Sequence, residues 1–363
     1  MARKLPGWAH ASWRYELHLN RNAKYTLNVS IVITAVTPYA VIQVSDMQVT
    51  AFKDGTILSA RQRKSMVLKG QQVVALFGWT GLATIAGHNT GQWLHGQLDA
   101  MHALDLSLGN IAKALEDNAT LHFATLPQTD KRCSFAIGGL CVTPLNTIEI
   151  FLCRVTNCEV GHSAKLSSRA SVKFETNVAL ISRTRRSKHP YILTVSGDEQ
   201  TAVELPDYWH GIRGLLKRRV GISQIAGACL QAARAVADKQ EEKSQKDPRF
   251  VKTVGRNLLV VGIDSPSGVI QSLFFPEDGS QAQVLAADVL SPDVSTRDVV
   301  VESRVNADGN TEVKVKGWFK VDHLPGSDDP PMPLLTFSGF PSTPLIGIGG
   351  QSPAARDRTN EKG

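Results

Sequence analysis

Residues 30–46 read Ser30-Ile31-Val32-Ile33-Thr34-Ala35-Val36-Thr37-Pro38-Tyr39-Ala40-Val41-Ile42-Gln43-Val44-Ser45-Asp46. Two apolar runs rich in β-branched residues flank a break at Thr37-Pro38-Tyr39, the pattern of a β-hairpin. Pro38 belongs in the turn, because it fixes its own φ and donates no ladder hydrogen bond. A fold centred on Pro38 sets Val36 opposite Ala40, Val32 opposite Val44 and Ser30 opposite Asp46. Opposed residues of an antiparallel pair have Cβ atoms about 5 Å apart. A hydroxyl that opens one strand would then lie beside a carboxylate that closes the next. Ser and Asp are also common at strand ends for another reason, since their side chains bond local backbone there. The hairpin alone leaves both explanations open.

The rest of the chain gives this hairpin its setting. With 363 residues and 42% hydrophobic content, the chain can bury a sizeable core. Its net charge of +7 is concentrated locally, in Arg3, Lys4, Arg14 to Lys24, Arg183 to Lys188 and Lys217 to Arg219. No nucleic-acid motif and no regular basic–aromatic interleaving accompanies that charge, so solvated basic loops are expected. Cys133, Cys141, Cys153, Cys158 and Cys229 are odd in number and form no CxxC pair. They are expected as reduced thiols of a cytoplasmic protein. The His residues show no metal-ligand spacing, and no metal or cofactor is expected. The charged start lacks the apolar core of a signal peptide. Asn28, Pro38 and Gln43 interrupt the most apolar stretch, which excludes a membrane helix there.

A second hairpin is expected at Met66–Leu68 and Gln72–Gly78 around Lys69-Gly70-Gln71. Trp79-Thr80-Gly81-Leu82-Ala83 should lead into a helix carrying Trp93, Leu94, Leu98, Met101 and Leu104. A further helix with Leu108, Ile111, Ala112 and Leu115 follows, capped by Asp105 or Ser107. Strands return at Ser134–Val142, Thr147–Val155 and Ile192–Val195. Helices come again at Trp209–Lys217 and Ile222–Asp238, then hairpins at Leu258–Ile263 with Val269–Phe275 and at Val299–Val305 with Thr311–Val321. Strands joined by tight turns and segregated from helices predict an α+β fold with mainly antiparallel sheets. A helix pair on each outer side of two stacked sheets would bury both. Four segments are expected: an extension at 1–29, the main domain at 30–282, a C-terminal β-hairpin extension at 283–323, and a Pro/Gly-rich tail at 324–363.

The order and the motifs resemble the proteasome-subunit-like branch of the N-terminal nucleophile (Ntn) hydrolases. The residues that carry the resemblance are Ser45-Asp46-Met47-Gln48-Val49-Thr50, Arg63-Lys64-Ser65-Met66-Val67-Leu68 and Phe77-Gly78-Trp79-Thr80-Gly81-Leu82-Ala83. Weaker matches are Val195-Ser196-Gly197 and Gly255-Arg256-Asn257-Leu258-Leu259-Val260-Val261. The resemblance implies a four-layer αββα sandwich and a nucleophile freed by self-cleavage. Counting back from Asp46, it places that nucleophile on Ser30 and makes residues 1–29 the segment to be removed. It implies a peptide or amide substrate, the freed α-amine as base, Lys64 as the charge that tunes that amine, and Asp46 as the group that orients both. Ser196 would join as a hydrogen-bonding partner, and the backbone N–H of Gly78 or a neighbour would bind the oxyanion. It also implies a homo-oligomer. The chain departs from the family pattern in having Ser rather than Thr as nucleophile and Val29 rather than Gly before it. Two alternatives stand beside this expectation: a catalytically inactive subunit that acts by assembly, and a basic binding protein for an acidic partner.

Overall fold

The computed structural model describes residues 30–321 other than 51–55, 71–72, 86, 103–106, 128–130, 143–147, 161–164, 167–170, 172, 183–190, 219, 265–269, 279–282, 285–287, 291–293 and 306–310. The expected extension at 1–29 and tail at 324–363 therefore lie outside the described residues.

The opening hairpin is present, with β1 at Ile31–Val36 and β2 at Ala40–Asp46. Its register differs from the expected one. Val36 pairs with Val41 and Val32 with Ser45. The cause lies in the turn. Thr37 N–H donates to Ala40 O at 2.8 Å, and the Thr37 hydroxyl accepts from Ala40 N–H at 3.0 Å. Pro38 and Tyr39 thus form a two-residue loop between Thr37 and Ala40, instead of Pro38 standing alone at the apex. One residue of slip turns every expected pair to its neighbour.

Both strands are buried on both faces. Ile31, Ile33 and Ala35 join one apolar cluster, and Val36 joins another. This explains why the run is continuously apolar rather than alternating. Two short strands follow: β3 (Val49–Thr50) and β4 (Ile57–Ser59) form a ladder of their own. The second hairpin is β5 (Ser65–Lys69) with β6 (Val73–Gly81). β6 runs on through Trp79 and Thr80 where a helix approach was expected. A small ladder of β7 (Thr84–Ile85) and β8 (His88–Asn89) then intervenes before helix α1 at Thr90–His102.

Helix α2 (Leu108–Thr125) begins at Ser107, whose hydroxyl accepts from Asn110 N–H, as an N-cap should. Leu94, Leu98 and Met101 of α1 and Ile111, Leu115, Ala119 and Phe123 of α2 have helical spacing and are buried together. Fully burying such a side chain contributes about 2 kcal/mol. Strands β9 (Cys133–Val142), β10 (Ile148–Thr156), β11 (Glu159–Val160), β12 (Lys165–Leu166), β13 (Glu175–Ser182) and β14 (Ile192–Gly197) follow. No regular pattern marked β13, which among the described residues is an edge strand paired with β10. Helices α3 (Glu199–Val203), α4 (Pro206–Lys217) and α5 (Ile222–Lys246) come next. The chain then forms β15 (Leu258–Asp264), β16 (Ile270–Phe275), β17 (Gln283–Val284), β18 (Asp288–Leu290), β19 (Val294–Val305) and β20 (Thr311–Val321).

Two sheets hold most of these strands. One runs β14-β1-β2-β15-β16-β17, and the other β13-β10-β9-β6-β5-β18-β19-β20. Pairing within both is antiparallel apart from β18, which runs parallel to β5 with Asp288 beside Met66. The fold is therefore mixed α+β with mainly antiparallel sheets. Three apolar clusters organise it. α1 and α2 share one with β5, β6, β9 and β10, and α4 and α5 share another with β1, β2 and β15. A third gathers Val36, Val41, Val67, Leu76, Leu140, Leu152 and Leu259 from both sheets. No helix among the described residues is long and apolar enough to cross a membrane.

Candidate active site

Three polar residues meet where β1 begins, β2 ends and β5 begins. Lys64 Nζ donates to Ser30 Oγ at 2.5 Å and to Asp46 Oδ2 at 3.0 Å, and it also donates to the Gln48 carbonyl. Lys64 and Asp46 are fully buried, and Ser30 retains 8% exposure. A buried ammonium needs all its protons satisfied. Here each of three N–H groups has an oxygen. Lys64 also lies 5.9 Å from the centre of the Trp79 ring, which adds an attractive π face.

The altered hairpin register still brings Ser30 and Asp46 to one place. With Ile31 next to Asp46 across the ladder, Asp46 Oδ1 accepts from Ile31 N–H at 2.8 Å. Oδ2 accepts from Gln48 N–H at 3.2 Å and from Gly255 N–H at 3.3 Å, besides Lys64. The carboxylate is thereby fixed by three backbone amides. Lys64 spans the distance from Asp46 to Ser30, so the two residues meet through the lysine rather than face to face.

Burial pushes the Lys64 pKa down from 10.5, with the neighbouring Asp46 charge and hydrogen bond opposing the shift. Loss of one proton would leave two N–H groups for Asp46 and Gln48 O and a lone pair facing Ser30 Oγ. That is the arrangement of a serine hydroxyl beside a general base.

The end of β14 closes the far side of Ser30. Asp198 N–H donates to Ser30 O at 3.1 Å. Gly197 adopts φ 104°, and a Cβ placed on it would come within 1.7 Å of Ser30 O. Only glycine fits that approach.

Ser196 and Gly78 stand differently from expectation. Ser196 pairs with Val32, and its buried hydroxyl has no hydrogen-bond partner among the described residues. Hence it is not tied into the Ser30–Lys64–Asp46 group. Gly78 sits inside β6, between Ser65 of β5 and Ala136 of β9. Because Trp79 N–H donates to Lys64 O, ladder alternation turns the Gly78 amide toward β9. That amide lies in the ladder between β6 and β9. A Cβ on Gly78 would meet Gln43 and Val32 side chains at 2.8 Å, so the glycine is explained by the close approach of the other sheet.

Several site residues carried no sequence signal of their own. The Gln48 and Gly255 contacts are made by backbone, which any residue type supplies. Gly255 lay inside a stretch noted only as a weaker match of the resemblance, with no role given to it, and Asp198 followed Ser196-Gly197 as a turn residue.

Among the described residues no group of three or more His, Cys, Asp or Glu could hold a metal ion. All five cysteines are free. Burial pushes the thiols of Cys153 and Cys229 up to about 12, which makes both inert near neutral pH.

No family model matches the chain, and no curated protein is similar to it. Solved structures do show a likeness. A Gly-1 mutant of Anbu from Hyphomicrobium sp. strain MC1 superposes with a TM-score of 0.40 at 11% identity, over 69% of this chain and 90% of that one. Anbu from the same strain gives 0.40 at 12% identity, over 69% and 89%. Anbu from Yersinia bercovieri, described as an ancestral beta-subunit, gives 0.39 at 14% identity, over 69% and 88%. Likeness at this level carries no argument about activity. With no family match and these low scores, the identification with proteasome-subunit-like Ntn hydrolases drawn from the motifs is overturned.

Proposed function

We propose that this chain is an amide-bond hydrolase with Ser30 as nucleophile, Lys64 as the base that receives its proton, and Asp46 as the group that orients Lys64. The observation that carries this is the 2.5 Å contact between Lys64 Nζ and Ser30 Oγ, with Asp46 Oδ2 at 3.0 Å on the same nitrogen. A buried lysine with a lowered pKa, in hydrogen-bond reach of a serine hydroxyl, fits the geometric and electrostatic needs of proton transfer.

In this reaction the Ser30 Oγ–H proton moves to neutral Lys64 Nζ while Oγ attacks the carbonyl carbon of the amide. The C–N bond breaks, and the proton passes to the leaving amine. Water then hydrolyses the resulting ester. The same steps, with the Val29 carbonyl as the first target, would release residues 1–29. The freed Ser30 amine, with a pKa near 7.7–8.0 in the absence of perturbation, would then be available as a second base.

Layering also belongs to this proposal: helix, sheet, sheet, helix. It is supported by the three separate apolar clusters, with helices contributing to the outer two.

Intact-mass measurement and N-terminal sequencing of the purified chain test the proposal, together with labelling by a fluorophosphonate probe. A new N-terminus at Ser30, or covalent label on Ser30, is expected in the wild type, and neither in Ser30→Ala. An uncut chain whose Ser30 resists the probe across pH 6–10 would overturn it and favour a silent, assembling protein.

A further inference from the structure

Helix α5 carries a buried amide that touches both walls of the site. Gln240 is 1% exposed on an otherwise apolar face formed by Ala232, Ala233, Val236 and Ala237. A polar group there costs free energy unless each of its atoms is bonded. Gln240 Nε2 donates to Asp198 Oδ2 at 2.6 Å and to Thr253 Oγ1 at 3.2 Å. Its Oε1 accepts from Thr253 N–H and Val254 N–H, both at 2.8 Å. One side chain thus joins two segments distant in sequence.

Each segment grips a different member of the reacting group. The Asp198 backbone N–H holds Ser30 O, while the Asp198 side chain caps α3 by accepting from Thr201 N–H at 3.0 Å. The 253–255 segment ends at Gly255, whose N–H binds Asp46 Oδ2 at 3.3 Å. Gln240 also lies in the interior of a 25-residue helix, where the backbone is rigid. The geometry points to Gln240 as a positioning residue that fixes Ser30 and Asp46 relative to each other, and so sets the distance that Lys64 bridges. This rests on the assignment of those three residues above.

A purely structural role would lower stability and leave the site's chemistry unchanged. Two variants separate the cases. Gln240→Met matches the side-chain length and removes every polar bond. With Gly255 released, the Asp46 charge acts more fully on Lys64. The Lys64 midpoint, followed by NMR of its side chain and assigned by its loss in Lys64→Met, is expected to rise by about one pH unit. The rate of Ser30 labelling by the fluorophosphonate is expected to fall at least tenfold, whereas Gln245→Leu, on the exposed side of the same helix, leaves both unchanged.

Gln240→Glu keeps an acceptor for the Thr253 and Val254 amides but sets a second carboxylate against Asp198. There the Asp198 amide should exchange its hydrogen at least tenfold faster while the Gly255 amide keeps its wild-type protection. A folded Gln240→Met with wild-type Lys64 midpoint and labelling rate would overturn the assignment. So would Gln240→Glu with both amides protected as in the wild type. Should wild-type Ser30 resist the probe altogether, the proposed hydrolase fails, while the Lys64 midpoint and the amide exchange still decide the role of Gln240.

Discussion

The carbonyl oxygen of Ser30 lies 1.7 Å from the point where a Gly197 side chain would begin. Gly197 holds φ 104°, a conformation that side chains rarely adopt. Gly197→Ala therefore combines backbone strain with a collision at the residue that opens β1. We expect a loss of about 3 kcal/mol or more in urea unfolding, with Ser30 labelling abolished. A variant as stable as the wild type would refute the close approach.

Lys64→Met replaces a buried ammonium by an apolar chain of similar length. Asp46 keeps its bonds from Ile31, Gln48 and Gly255, so the variant should fold, at a cost of about 3 kcal/mol for the unpaired charge. Loss of the base should slow Ser30 labelling by about 10²–10⁴. The pH dependence has a definite sign. The folded pKa of Lys64 is below 10.5, so between that lowered value and 10.5 the unfolded chain binds more protons at this residue. Its contribution to stability then rises with pH across that window, and the difference between wild type and Lys64→Met should show it in denaturation midpoints.

His88 and His122 share a 2.9 Å hydrogen bond between Nδ1 and Nε2, with His88 Nε2 also 2.9 Å from Thr90 Oγ1. Burial, helped by the nearby His122, pushes the His88 pKa from 6.5 to about 4. The unfolded chain therefore takes up a proton first as pH falls. The stabilisation is complete above 6.5 and is lost progressively down to about 4. Between pH 7 and pH 5 the Tm of the wild type should fall further than that of His88→Asn, and equal slopes would refute this.

Arg63 Nη1 and Asp288 Oδ1 form an ion pair at 2.7 Å with both side chains largely buried. Asp288→Asn should cost about 3 kcal/mol, because it leaves a charge with diminished compensation. In a double-mutant cycle with Arg63→Met, the paired change should cost less than the sum of the single changes. Strict additivity would mean that the pair contributes no coupling.

Much of the order of elements was legible because it rests on local chemistry. The apolar spacing of Leu94, Leu98 and Met101, the cap at Ser107, and the turns at Lys69-Gly70-Gln71 and Thr37-Pro38-Tyr39 are written in neighbouring residues. The one-residue error in hairpin register arose because Thr37 can either start a wide turn or close a tight one, and only its bonds to Ala40 decide. Asp46 stood out as a charge closing an apolar strand and Lys64 only through the family resemblance; Lys64 Nζ bonds to both Asp46 and Ser30. Where the Ser196 hydroxyl and the Gly78 amide point was not legible, because the direction of a hydroxyl or an amide within a sheet depends on the neighbouring strand. Gln240 was invisible for a related reason. Its partners are 42 and 13 residues away, and a lone glutamine on a helix is ordinarily read as solvent-facing.

Asp288–Leu290 runs parallel beside β5 and covers its edge. Without it β5 would present an open row of backbone donors and acceptors, next to Lys64. Such a bare margin invites a strand from a second molecule to add itself, and to propagate as insoluble aggregate. Asp288, Val289 and Leu290, with Asp288 bonded to Arg63 across 225 residues of sequence, occupy that margin and leave no room there for such a strand.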